Sequence, residues 1–200
     1  MKRQRIVEDV SALPTYAFGT TMTTWWGTLG FCVIEGMGFA LAIAAYLYLV
    51  HVNPQWPLAD APPNHWPGTA VLVILLLSLW PNWKAEHDAK EENLAGVRRW
   101  LVIMTAIGFV LIAIRFYEFT QLKVRWDQNA YGSATWFLLA LHATHIITDL
   151  ADTVVLTVLM FTRHGRGKRF ADVEDNAFYW YFVVGSWVPM YILIYWVPRW

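Results

Sequence analysis

Glu35 stands near the middle of an apolar stretch running from Trp25 to Val50. A carboxylate at the centre of a bilayer costs roughly 2.5–3.5 kcal/mol on insertion scales, so such a group faces another helix, a polar cavity or a proton route. Counting about 1.5 Å per residue from Trp26 puts it ~14 Å into a core about 30 Å thick, too deep to reach the interface. His142, His145, Asp149 and Asp152 are offset by 3, 7 and 10 residues. At about 100° per residue that gathers them into one stripe ~80° wide on a helix. If this helix enters from outside, the histidines lie ~16–21 Å deep, level with Glu35, and a contact from Glu35 to either histidine is open. Glu35 also shares a helix face with Gly38 and Ala42, small residues that let another backbone come close.

Three chemistries compete for this set. A haem needs axial ligands on opposite faces of a ring, whereas His142 and His145 point the same way. A carboxylate–histidine metal site is conceivable from His, His and Asp at i, i+3 and i+7, but sites in bundles usually draw matched ligands from several helices. The plainest reading is that the stripe hydrogen-bonds neighbouring helices, binds lipid headgroups or faces a partner subunit. Arg115 and Glu118, near the outer end of another apolar run, allow a local i,i+3 ion pair. In the bilayer margin Arg115 can equally meet a lipid phosphate while Glu118 orients it. The stretch Lys84 to Glu92 reads as a solvated charged loop.

The composition demands a membrane to hold these residues. Of the 200 residues 57% are apolar and 15% charged, with mean hydropathy +0.36, against about 25% charged in soluble domains. Thirteen tryptophans cluster near the ends of the apolar runs, as interfacial belts do. The single cysteine, Cys32, offers neither a disulfide nor a Cys-based metal cluster. Zero net charge without a basic tract gives no sign of nucleic-acid binding. Glu8 and Asp9 in a start without an apolar h-region argue against a cleaved signal peptide.

The predicted fold is all-α: one polytopic transmembrane bundle, residues 1–200, with five spans at roughly 24–52, 68–83, 97–122, 131–162 and 177–197. Pro54, Pro57, Pro62, Pro63 and Pro67 fill the first connection, and Gly165 and Gly167 punctuate the last. With the N-terminus inside, cytoplasmic segments hold Lys2, Arg3, Arg5, Lys84, Lys90, Arg98, Arg99, Arg163, Arg166, Lys168 and Arg169. The other side holds Lys123, Arg125 and Arg199. This positive-inside bias places the C-terminus outside.

The order of motifs then resembles a known family. Trp26-Gly27, Phe31, Glu35, Met37 and Phe39 come first, followed by Pro67, Thr69 and Leu72. Next are Gly108, Arg115, Glu118 and Phe119, then Tyr131-Gly132-Ser133 leading to His142-x-x-His145. Tyr179-Trp180-x-Phe182-Val183, Trp187, Tyr191 and Tyr195-Trp196 complete the series. Colinear over nearly all the chain, they look like subunit III of haem-copper oxidases (cytochrome c oxidase), in a divergent five-helix bacterial form.

The resemblance implies a subunit in the bacterial cytoplasmic membrane with no catalytic residue, metal or redox cofactor of its own. Haem and copper belong to partner subunits, chiefly the catalytic subunit I. This chain would pack beside it, bind phospholipid and support complex stability and proton uptake. By motif match, Glu35 takes the place of the family's buried glutamate, Arg115 and Glu118 that of its lipid-cleft pair, and His142 and His145 that of its paired histidines. Tyr181 and Val184 stand where the family usually has His and Asp, and Asp149 and Asp152 are additional acids. Those departures leave open a companion of a nitric oxide reductase. Outside the family, an autonomous proton or cation transporter running along the stripe, or an intramembrane metalloenzyme, are the competing classes.

Overall fold

A computed structural model describes residues 16–58, 60–163 and 165–200; Lys2, Arg3 and Arg5, used in the charge reading, and Glu8 and Asp9, used in the signal-peptide reading, lie outside them. Five helices follow in order: α1 Thr23–Val52, α2 His65–Lys90, α3 Leu94–Thr120, α4 Ala130–Phe161 and α5 Lys168–Tyr195. Each is long and apolar enough to cross a membrane, and the described residues contain no strand. Asn93 and Asn129 start α3 and α4 by accepting the amides of Gly96 and Gly132 at 3.2 and 2.9 Å, which satisfies donors that a helix start leaves free.

Two helices outrun the expected spans. Lys84 to Lys90 continues α2 instead of forming a loop, held by Lys90–Glu86 at 2.6 Å and by Tyr181 donating to Glu86 at 2.9 Å. Similarly, α5 begins at Lys168, with Arg169–Asp172 pairing at 2.6 Å across its first turn. Hydropathy locates the apolar middle of a span, whereas i,i+3 and i,i+4 pairs carry the helix on into polar surroundings.

Long-range bonds define the two ends of the bundle. At the end carrying the α2–α3 turn, Tyr16 meets Glu92 at 2.5 Å, Lys90 meets Glu174 at 3.0 Å and Arg98 reaches the Met160 carbonyl at 2.7 Å. This is the basic end, with Lys84, Arg99, Arg163, Arg166 and Lys168 close by in sequence. At the other end, Asn129 bonds Asp60 and Arg199 bonds the Pro63 carbonyl, both at 2.5 Å. The helix α5 is central: half of its apolar window is buried, against 17% for α1.

Peripheral α1 packs on α4 and α5 through Cys32, Phe39, Ala42 and Tyr46. Gly38 is exposed, with open space where a side chain would sit, so close approach through Gly38 is not how α1 docks. Phe39 and Tyr46 fill the contact with aromatic bulk instead.

Candidate functional site

The polar stripe of α4 is divided among three neighbourhoods. His142 is completely buried and belongs to an ionic cluster with α3 and α5. Arg115 donates from Nη1 to Glu118 Oε2 at 2.6 Å and approaches His142 Nδ1 with Nη2 at 2.9 Å. A guanidinium can only donate, so Nδ1 accepts and the His142 proton sits on Nε2, which donates to the Val183 carbonyl at 3.0 Å. Trp187 lies beneath, its ring 4.0 Å from the guanidinium carbon and 4.8 Å from the imidazole centroid. Tyr195 donates to the remaining Glu118 oxygen. Arg115 and Glu118 are 3% and 1% exposed, so this is a buried pair whose charges are met inside the protein.

Gly68 makes the last contact feasible. A Cβ there would lie 2.2 Å from the Tyr195 ring, so only the bare backbone of α2 lets Tyr195 reach Glu118.

His145, one turn further along, is turned toward α1. Its Nε2 is 3.4 Å from Glu35 Oε1, Tyr179 donates to Glu35 Oε2 at 2.7 Å, and the Phe39 ring centroid is 4.5 Å from the imidazole. His145 Nδ1 is 2.6 Å from the Leu141 carbonyl, which only accepts; Nδ1 therefore carries a hydrogen. Nε2 is then the nitrogen that faces the carboxyl group, within reach of a hydrogen bond to Oε1. The Glu35 side chain is 20% exposed, so the carboxyl group is open to the surroundings on one side.

Asp149 and Asp152 form the third neighbourhood with α5. Thr153 donates toward Asp149 Oδ2 at 3.5 Å and lies 3.2 Å from Asn176 Nδ2, which also bonds Asp152 at 3.3 Å. Asp149 is buried, and its Oδ1 has no partner among the described residues; Asp152 is exposed. Glu35, Asp149 and Asp152 all line one cleft of about 600 Å³ between α1, α4 and α5.

The donor sets do not suit a haem or a metal ion. Both His142 nitrogens and His145 Nδ1 are engaged, and among the described residues no three His, Cys, Asp or Glu side chains converge as ligands. Arg115 is not presented to the outside as a phosphate-binding group, since both terminal nitrogens are used internally. Among the described residues its Nε has no partner, and Arg115 lines an apolar cavity of about 180 Å³ between α3 and α4. Sequence reasoning gave no role to Trp187, Tyr195, Asn176 or Thr153. The first two stood within the family motifs, and Asn176 was detectable as an amide one turn before Tyr179.

Five membrane-length helices define a multi-pass membrane protein, with the Arg115–Glu118 ion pair buried within the bundle. The family profile described as cytochrome c oxidase subunit III matches residues 69–199. Cytochrome c oxidase subunit 3 of Synechocystis sp. is 29% identical over 175 residues, covering 84% of this chain and 73% of the relative. The protein of the same name from Thermostichus vulcanus is 25% identical over 176 residues, covering 86% and 87%. A probable cytochrome c oxidase subunit 3 of Mycobacterium tuberculosis is 26% identical over 180 residues, covering 86% of each. The chain belongs to the cytochrome c oxidase subunit III family, the accessory subunits of haem-copper terminal oxidases, whose haem and copper sit elsewhere in the complex.

Proposed function

We propose that this chain is a single-domain, non-redox subunit that flanks the catalytic subunit I of a bacterial oxidase in the cytoplasmic membrane, keeping its basic end inside. There it supports stability, lipid binding and proton uptake. The observation that supports the proton role is the Glu35–His145 pair: a carboxyl oxygen 3.4 Å from an imidazole nitrogen, a phenol on the second carboxyl oxygen, and a side chain partly open to the cleft. Such a pair takes up or releases a proton with little rearrangement, because Leu141 and Tyr179 hold both partners in place. The Arg115 cluster has the structural role, tying α3 to α4 and α5, and the apolar cavity beside it receives a phospholipid acyl chain.

The test is Glu35→Gln in the assembled oxidase. The amide keeps the shape and the Tyr179 contact but cannot ionise, so normal assembly and initial turnover with declining proton uptake over repeated cycles is the expected result. Unchanged proton uptake and turnover throughout would remove Glu35 from the proton route.

A further inference from the structure

The cleft between α1, α4 and α5 holds more acidic side chains than the Glu35–His145 pair uses. Five acidic side chains line it, Glu35, Asp149, Asp152, Asp172 and Asp175, against one basic one, Arg169, which pairs with Asp172 at 2.6 Å. Counted along the helices at about 1.5 Å per residue, Glu35, Asp149 and Tyr179 each lie ~16–18 Å from the basic end. The cleft thus runs from that end toward mid-bundle. At its inner part Asp149 is 4% exposed, with Oδ1 lacking any partner among the described residues. A buried carboxyl oxygen without a donor is costly, and a ligand that supplies N–H groups removes the cost.

The shape selects among cations. The acids are spread along the cleft, and no three ligating side chains converge among the described residues, which disfavours a bare metal ion. Phe31, Val155, Leu156 and Leu159 give the same cleft an apolar wall, and the Tyr179 ring stands beside the acids. Acids with an adjoining apolar and aromatic wall match an ammonium on a methylene stem, whose head takes the carboxylates and whose stem takes the wall.

We propose that this cleft is a binding site for an alkylammonium group, with Asp149 and Asp152 as its principal anchors. The group comes either from a soluble oligoamine entering at the basic end or from a membrane-borne amine entering between the helices. This goes beyond the accessory-subunit reading and does not depend on Glu35 exchanging a proton, since it is read as binding and not as turnover.

The experiment is equilibrium dialysis of the purified full-length protein in mild detergent against labelled spermidine and, separately, labelled dodecylammonium. Saturable binding of about one molecule of either probe is expected, weakened at least tenfold by Asp152→Asn and further by adding Asp149→Asn. Asp127→Asn, at the far end, should leave it unchanged. Spermidine binding identifies the soluble source, and dodecylammonium binding alone the membrane-borne one. Asp152 is exposed, so its single variant keeps the test valid if the double variant fails to fold. Absence of saturable binding by both probes, or binding undiminished in Asp152→Asn, overturns the proposal.

Discussion

His142 and His145 are one helical turn apart on α4, yet they serve opposite kinds of site. His142 is enclosed by Arg115, Trp187 and the Val183 carbonyl, both ring nitrogens are committed, and the residue is fully buried. His145 faces a carboxyl group that borders a cleft of about 600 Å³. The difference lies in the neighbours. Central α5 and α3 close over one face of α4, while peripheral α1 only partly covers the next. Residue type therefore says little by itself about whether a buried histidine locks helices together or holds an exchangeable proton; the helix packed against it decides.

The comparison breaks most sharply at Arg115. Arg115→Ala leaves Glu118 with Tyr195 alone and His142 Nδ1 without a donor, and should cost about 3–5 kcal/mol, the range for an orphaned buried charge. Loss of the folded subunit from the membrane, or a large drop in the melting temperature of the complex, would register it. Gly68→Ala attacks the same cluster from α2 by pushing Tyr195 away from Glu118, at about 1–3 kcal/mol. A thermal melt of Gly68→Ala alongside Tyr195→Phe checks the route, since the two losses should not add.

At the open site the expected stability effect is smaller. Glu35→Gln retains a hydrogen-bonding group of nearly the same shape, so its melting temperature should stay close to wild type. A collapse equal to that of Arg115→Ala would show that the two sites are not different in kind. The smallest effect belongs to the exposed Arg125–Asp127 pair. Hydrogen bonds from Arg125, at 3.0 and 2.8 Å, hold the Asp127 carboxyl below the usual carboxylate range. A depressed carboxylate stabilises fully above its unfolded pKa and loses that contribution as pH falls through its lower folded value. Asp127→Asn should accordingly cost little at pH 7, since the pair is exposed, and whatever difference from wild type exists there should disappear as the pH falls into acid.

The number of spans and the level of Glu35 with His145 were legible because membrane burial enforces long apolar runs with few charges, along which residues can be counted. Where α2 and α5 end was not, since Lys84–Lys90 and Lys168–Asn176 continue as helix on polar pairing that hydropathy does not register. Nor could the sequence separate His142 from His145, because residues three apart share a face and only the docked helices tell them apart. The Val183 acceptor is a backbone carbonyl, which has no signature in residue type. Arg115 appeared to sit at a lipid margin because its distance along the helix was visible, whereas the covering Trp187, 72 residues away, was not.

The measurement that tests the central claim most directly is a reduced-minus-oxidised optical spectrum of the material that co-purifies with this chain from its native membrane in mild detergent. It is read beside the spectrum of the chain produced alone. An accessory subunit of a haem-copper oxidase gives a stoichiometric haem spectrum in the first sample and none in the second. A well-folded, colourless protein that retains no haem partner under gentle conditions, or haem bound to the isolated chain, would contradict the account.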